Sequence, residues 1–196
     1  MAIQNIGEFK QALVGGGARA NLYQVTCNSP AVTGTLPGIS GSGSKMQFLC
    51  RAAQLPASTM GTTPAFFRGR TINLAGDRTF EPWVITVYND TDFQIRRSME
   101  TWMREQNSHE ANTGEQRPDQ YKADLSVEQL DKNGVVLYKY NFIGGFPTAV
   151  SAIDLAYDAN DQIEEFSIEW QYDYWESGEG TTVNTTGRGA NSGNVS

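Results

Sequence analysis

The sequence predicts a mainly β protein: two packed antiparallel sheets forming a sandwich or barrel, with one flanking α-helix. Three observations carry this. Runs rich in β-branched and aromatic residues recur between Gly, Pro and Asn/Asp punctuation from residue 22 to residue 175. One window, roughly residues 92–105, has a convincing helical period, with Ile95, Met99, Trp102 and Met103 on one face. The run Ile-Glu-Glu-Phe-Ser-Ile-Glu-Trp-Gln-Tyr-Asp-Tyr-Trp, residues 163–175, alternates cleanly, as a half-buried strand should.

Ile6, Phe9, Leu13 and Val14 recur at helical spacing before Gly15-Gly16-Gly17, which predicts a short helix or hooked arm within residues 1–20. Residues 22–27 read as a strand, the Gly/Ser/Pro-rich segment 28–45 as a long loop, and its part 38–45 as a flexible linker. The next strand is expected over residues 46–52, where Met46, Phe48 and Cys50 alternate with Gln47, Leu49 and Arg51. Residues 54–70 have turn chemistry, with Phe66 and Phe67 exposed.

Residues 71–90 start as a strand, break at Ala75-Gly76-Asp77-Arg78, and resume as a more apolar strand. Gly76 is expected to permit a backbone turn there, and Asp77 to hydrogen-bond it. Pro82 marks an edge or bulge in the second strand, because proline donates no ladder hydrogen bond. Asn89-Asp90-Thr91 is the expected N-cap of the helix.

Residues 121–130 and 135–142 read as strands joined by Asp131-Lys132-Asn133-Gly134, a hairpin signal. Residues 144–158 predict a further strand, and 163–175 the last. The Gly/Ser/Thr/Asn tail 177–196 cannot bury a core of its own. The expected organisation is one domain over residues 1–176 followed by that tail.

Charged residues make up 19% and apolar residues 39% of the 196 positions, a globular balance. A net charge of −7 is a poor fit to gripping nucleic acid; it suits solubility, or a surface that repels phosphate. Cys27 and Cys50 stand apart, with neither zinc-site nor disulfide-framework spacing, and read as small buried hydrophobes. The first residues lack a basic segment followed by an unbroken apolar stretch, and no window is long enough to cross a membrane, so a cytosolic origin is expected.

Motifs for catalysis are weak. His109 is the single histidine and lies in a polar loop without the second histidine of a zinc-protease helix. Residues 38–45 lack the spacing of a phosphate-cradling loop, and residues 15–19 that of a dinucleotide fingerprint. Glu164 and Glu165 are adjacent on a strand and point to opposite faces, so they do not converge as a catalytic pair. No cofactor, metal or catalytic residue is expected.

Between residues 154 and 176 there are eight acidic residues and no Lys or Arg. Alternation puts Phe166, Ile168, Trp170, Tyr172 and Tyr174 on one face and Glu165, Ser167, Glu169, Gln171 and Asp173 on the other. A second such face sets Asp124, Ser126 and Glu128 against Ala123, Leu125 and Val127. Like charges across strands weaken a sheet slightly. Two readings stand: a solvated outer face, or an anionic surface that a polyanion passes without sticking.

The segment "GRTINLAGDRTFEPWVITVYND" closely resembles the strand–corner–strand–helix segment of tail tube proteins from contractile-tailed bacteriophages. "NLYQVTC", "FLCRAAQLPAS", "PDQYKADLSVEQLDKNG" and "FPTAVSAIDLAYDANDQIEEFSIEWQYDYWE" resemble further blocks in the same order, covering most of residues 21–176. The resemblance implies a structural virion protein without cofactor or catalysis. Six-membered rings would stack into a hollow tube inside a sheath, their inner sheets joining around a lumen through which DNA travels into the host. It implies the sheath protein, baseplate and tail terminator as partners, and assembly in the host cytoplasm.

Joined with alternation, the resemblance makes Asp124, Glu128, Glu165, Glu169 and Asp173 candidates for the lumen wall. Phe66 and Phe67, with the N-terminal arm, are candidates for ring stacking, and Asp77 and Arg78 for contacts between subunits. The alternative for the two phenylalanines is packing on their own domain. Loop 28–45 and tail 177–196 depart from the compact family pattern. Two other functions stay open: the tube of a phage-tail-like bacteriocin or secretion system, and a carbohydrate-binding sandwich using Trp83, Trp170 and Trp175 as platforms.

Overall fold

The computed structural model describes residues 5–13, 17–41, 43–158 and 160–179. Its elements, in chain order, are α1 (Ile6–Ala12), β1 (Tyr23–Cys27), α2 (Lys45–Leu49), β2 (Cys50–Ala53), β3 (Thr59–Phe67), β4 (Arg70–Thr79) and β5 (Trp83–Tyr88). Then follow α3 (Gln94–Gln106), α4 (Pro118–Tyr121), β6 (Ala123–Leu130), β7 (Val136–Val150), β8 (Glu165–Gln171) and β9 (Tyr174–Glu179). Residues 1–4 and 14–16 of the expected arm, Ser42 of the expected loop, and residues 180–196 of the expected tail lie outside the described residues.

Two sheets share β7. Its first half pairs with β6 and β9, and its second half with β8, all antiparallel. β1 extends the first sheet beyond β6, while β5 and then β2 extend the second beyond β8. The bend falls at Gly144-Gly145, where Gly144 has φ +66° and a Cβ would meet the Asp173 carboxylate. A Cβ on Gly145 would lie 2.8 Å from Leu125 Cδ1. Both positions need glycine, one for its backbone angle and the other for close packing.

Alternation supplies the core. Trp83, Ile85 and Val87 of β5 stand opposite Trp170, Ile168 and Phe166 of β8, all buried. Val25 and Cys27, Leu125 and Val127, and Phe142 line the inner face of the first sheet. Trp83 stacks on Phe142 with ring centroids 4.4 Å apart, joining the two layers. Ile95, Met99 and Trp102 of α3 close over them, Trp102 meeting Trp170 edge-to-face at 5.3 Å. The sandwich with one amphipathic flanking helix is as expected.

Several expectations are corrected. Residues 28–44 form a loop as expected, but its part 38–45 is not a flexible linker: Ile39 is buried in the core beside Leu36, the Met46 N–H donates to Gly38 O at 2.9 Å, and the Ser98 hydroxyl donates to the preceding Pro37 carbonyl at 2.8 Å. Residues 46–52 are not one strand. They divide into α2, which buries Met46 and exposes Phe48, and the start of β2. A helical turn satisfies local hydrogen bonds before the chain reaches the sheet edge, so alternation there is coincidental.

Residues 59–67 are strand β3, not turn. The break within 71–90 falls at Phe80-Glu81-Pro82, not at Gly76-Asp77-Arg78, which belong to β4. Pro82 precedes β5. The helix N-cap is Phe93, in the left-handed region at φ +53°; Asp90 instead accepts the Phe93 N–H on its carbonyl at 2.8 Å and pairs with Lys45 through its carboxylate. The strand expected over 144–158 is the second half of β7 up to Val150, after which the chain loops.

The strand expected over 163–175 divides into β8 and β9 at Tyr172-Asp173, and β9 continues to Glu179. Both parts run along the same edge of β7, and the Asp173 N–H still donates to Ile143 O at 3.0 Å across the corner. The corner turns the alternation: Phe166, Ile168, Trp170 and Tyr172 are buried, whereas Tyr174 is exposed.

Candidate functional site

The candidate site is a set of surfaces. The most unusual is the β3–β4 hairpin, nine and ten residues long, which forms a sheet of its own and is exposed on both faces along nearly its whole length. It presents Met60, Phe66, Phe67, Ile72 and Leu74 to solvent, Phe66 at 80% exposure. Isolated two-stranded ribbons are marginal in water, so such a ribbon wants a partner. Of the two alternatives for Phe66 and Phe67, packing on their own domain is therefore not what the fold shows.

The feet of the hairpin are held while its shaft is free. The indole N–H of Trp83 donates to Gln54 O at 2.6 Å, and that of Trp175 to Ala57 O at 3.2 Å. Near its base the register shifts, so that Gly76 and Asp77 of β4 face Gly61 of β3. This is a β-bulge, which twists the ribbon and re-aims its side chains. Asp77 and Arg78 sit on this bulge, exposed, and make no ion pair among the described residues.

A second unpartnered surface is α1. Asn5 and Glu8 form a capping box that starts the helix, with the Gly7 N–H donating to Asn5 Oδ1 at 3.2 Å. Its Ile6 and Phe9 are exposed, as is the following Leu13.

The five acidic candidates do not share a face. Asp124 and Glu128 lie on β6 opposite buried Leu125 and Val127, so they project from the outer surface of the first sheet. Glu165 and Glu169 project from the outer surface of the second, since Phe166, Ile168 and Trp170 point into the core between the sheets. Asp173 lies at the corner, paired with Lys122 at 2.6 Å. Glu128 pairs with Lys139 at 2.6 Å and Glu165 with Arg51. Asp124 accepts the Gly144 N–H at 3.1 Å.

Buried groups near these surfaces serve packing. The Tyr23 hydroxyl donates to Cys50 O at 2.9 Å, linking β1 to β2. Burial pushes the Tyr23 hydroxyl and the Cys50 thiol up to about 12, and raises the Cys27 thiol still more strongly. Both cysteines are free, buried thiols, and so poor nucleophiles. His109 lies exposed in its loop. Trp83 and Trp170 are buried and Trp175 packs on Phe80 and Tyr140, so none offers an open platform for a sugar.

Sequence reasoning missed a further surface, the loop from 151 to 164 that closes the β7–β8 hairpin. It exposes Leu155, Tyr157 and Ile163 among Asp154, Asp158 and Asp161. The missed signal was apolar residues inside an acidic run with no alternation to bury them.

A mainly β sandwich with unpartnered ribbon, helix and loop surfaces has the make-up of a protein that works by assembly. The chain belongs to the phage tail tube protein family, whose model matches residues 18–177. It is 34% identical over 167 residues to tail tube protein gp19 of Enterobacteria phage T4, covering 83% of this chain and 93% of that protein. It is 27% identical over 172 residues to the tail tube protein of Serratia phage KSP90, covering 85% and 93%.

The fold is shared with solved structures from contractile injection systems. A chain of the anti-feeding prophage baseplate superposes with a TM-score of 0.60 at 10% identity, covering 85% of this chain and 98% of that one. A chain of the sheath–tube complex of an extracellular contractile injection system in its extended state gives 0.55 at 15% identity, covering 87% and 97%. The protein is thus a structural component of a virion tail, in a family that is not one of enzymes.

Proposed function

We propose that six copies close into a ring and that rings stack into the inner tube of a contractile tail, the conduit for DNA into the host. The sheath protein surrounds the tube, the baseplate and tail terminator meet its ends, and assembly takes place in the host cytoplasm. The protein's own part is mechanical, with no catalytic step and no cofactor.

The observation that carries this reading is the β3–β4 hairpin, an aromatic-bearing ribbon that its own subunit leaves exposed on both faces. In a head-to-tail assembly such a ribbon is covered by the next subunit, and free sheet edges are paired by neighbours in the ring. The α1 stripe of Ile6, Phe9 and Leu13 supports the same reading. So does Arg78, which projects from the hairpin base without an ion pair among the described residues.

The outer face of one sheet lines the lumen. The two outer faces lie back to back across the core, so Asp124 with Glu128, or Glu165 with Glu169, supplies its carboxylates, and not all four. Like charge toward phosphate keeps DNA from adhering. Phage relatives favour a DNA conduit, whereas the fold neighbours include injection devices; capsid and terminase genes beside this one separate the two. The direct test is negative-stain microscopy of the purified protein. Six-membered rings or tubes are expected, and a strict monomer at high concentration overturns the proposal.

A further inference from the structure

We propose that the tip of the β3–β4 hairpin docks onto the acidic loop 151–164 of a second copy of this chain in the adjacent ring. The inference rests on the stacked-ring reading and names the surface that receives the hairpin. Charge is the first argument. In a chain of net charge −7 the hairpin carries Arg68, Arg70 and Arg78 against one acid, Asp77. Segment 152–164 carries Asp154, Asp158, Asp161 and Glu164 and no Lys or Arg. The most cationic ribbon and a wholly anionic loop are complementary surfaces of the same molecule.

Apolar chemistry matches as well. At the tip, Arg68 lies over the Phe67 ring at 5.3 Å, beside exposed Phe66. The loop exposes Leu155 and Ile163 at 80% and 68% and leaves Tyr157 fully open, around a groove of about 400 Å³ bounded by residues 152–156 and 162–165. Each surface is an aromatic or aliphatic cluster rimmed by charge of one sign, the make-up of an interface centre with its rim.

Position is the third argument. Both feet of the hairpin leave the second sheet where β5 begins, at Trp83 and the end of β2. The acidic loop sits where β5 ends: Tyr88 stands opposite Glu165, and the Asn89 N–H donates to Glu164 O at 2.8 Å. Hairpin and loop thus occupy opposite ends of the same strand. Head-to-tail stacking requires complementary patches at opposite ends of the molecule, and this pair provides them.

The test is a charge swap read by negative-stain microscopy. Arg68→Glu/Arg70→Glu and Asp158→Arg/Asp161→Arg are each expected to give rings with at least ten-fold fewer and shorter tubes. Combining all four changes in one chain, or mixing the two ring populations, restores tubes, because each reversed pair of tip charges again faces a reversed pair of loop charges. Wild-type protein that forms no ring or tube overturns the stacked-ring reading itself. Wild-type tubes that survive either double variant, or that stay lost in the combined chain, overturn the docking alone. Should a variant fail to fold, Phe67→Cys/Tyr157→Cys decides: the native cysteines are buried, so oxidised tubes should show subunit ladders, and their absence in intact tubes removes the contact.

Discussion

Gly61 and Gly76 face each other across the β3–β4 hairpin so closely that a Cβ on Gly76 would lie 3.1 Å from the carbonyl carbon and oxygen of Gly61. Neither has a positive φ, so their role is close backbone approach at a bulge rather than a turn. The obstructing atoms are main chain and cannot swing aside.

Gly76→Ala should therefore shift the bulge and re-aim the hairpin. Because the hairpin lies outside the core, thermal stability is expected to change by no more than about 0.5 kcal/mol. Tube yield by microscopy should nevertheless fall at least several-fold. A large stability loss would place the hairpin within the cooperative unit.

Gly145→Ala acts in the core instead. Its Cβ would press on Leu125 and on the Ala123 carbonyl where the two sheets diverge. Overpacking of this kind costs about 1–3 kcal/mol. Urea unfolding monitored by tryptophan fluorescence should show a lowered midpoint with an unchanged slope.

Trp102→Ala should be among the most damaging single changes. The ring is fully buried against Trp170, and its N–H donates to Tyr121 O at 2.7 Å. A loss of about 3–5 kcal/mol is expected from the cavity, and the Tyr121 carbonyl loses its partner as well. Denaturant titration measures it.

Lys45 bridges Asp90 and Asp92, tying α2 to the approach of α3. The Lys45 ammonium holds the Asp90 carboxyl below its usual value of 3.8, and the Lys45 pKa is raised in return by Asp90 and then Asp92. The lowered carboxyl stabilises the fold above its unfolded pKa, and that contribution is lost as pH falls from about 4 through its folded value. The raised lysine contributes fully below its ordinary 10.5, and loses that contribution as pH rises through its folded value. Asp90→Asn should flatten the acid limb of thermal midpoint against pH. An unchanged limb would assign acid sensitivity elsewhere, with Asp131, lowered first by the Val135 N–H, the next group to test.

Deleting residues 1–17 removes α1 and its exposed Ile6, Phe9 and Leu13. The sandwich should keep its stability and still form rings, while tube growth is impaired. Arg78→Ala should likewise fold but assemble poorly. Normal tubes from either variant would remove that surface from assembly.

What local pattern fixes was legible in the residues. Alternation through 163–172 named Phe166, Ile168, Trp170 and Tyr172 as one buried face, because a strand has only two sides. Asp131-Lys132-Asn133-Gly134 was legible as a hairpin, since the Asp131 carboxylate takes the Asn133 and Val135 N–H groups while Gly134 adopts φ +78°. The stripe of Ile95, Met99 and Trp102 marked α3.

What depends on distant partners was not legible. Gly61 and Pro64 make β3 look like turn, although Gly61 is there for Gly76, which only the pairing brings opposite. Asp90 looks like a cap by its neighbours, yet its carboxylate pairs with Lys45, far away in sequence, and the helix starts at Gln94. The five carboxylates read as one anionic surface, yet which way a sheet faces is set by how it packs on its partner. By itself the sequence determined the family, the strands' buried faces and the acidic character. Tertiary structure decided that the hairpin stands free beside the start of β5 and the acidic loop beside its end, because the bend in β7 and the pairing of β5 are contacts between residues that no local period records.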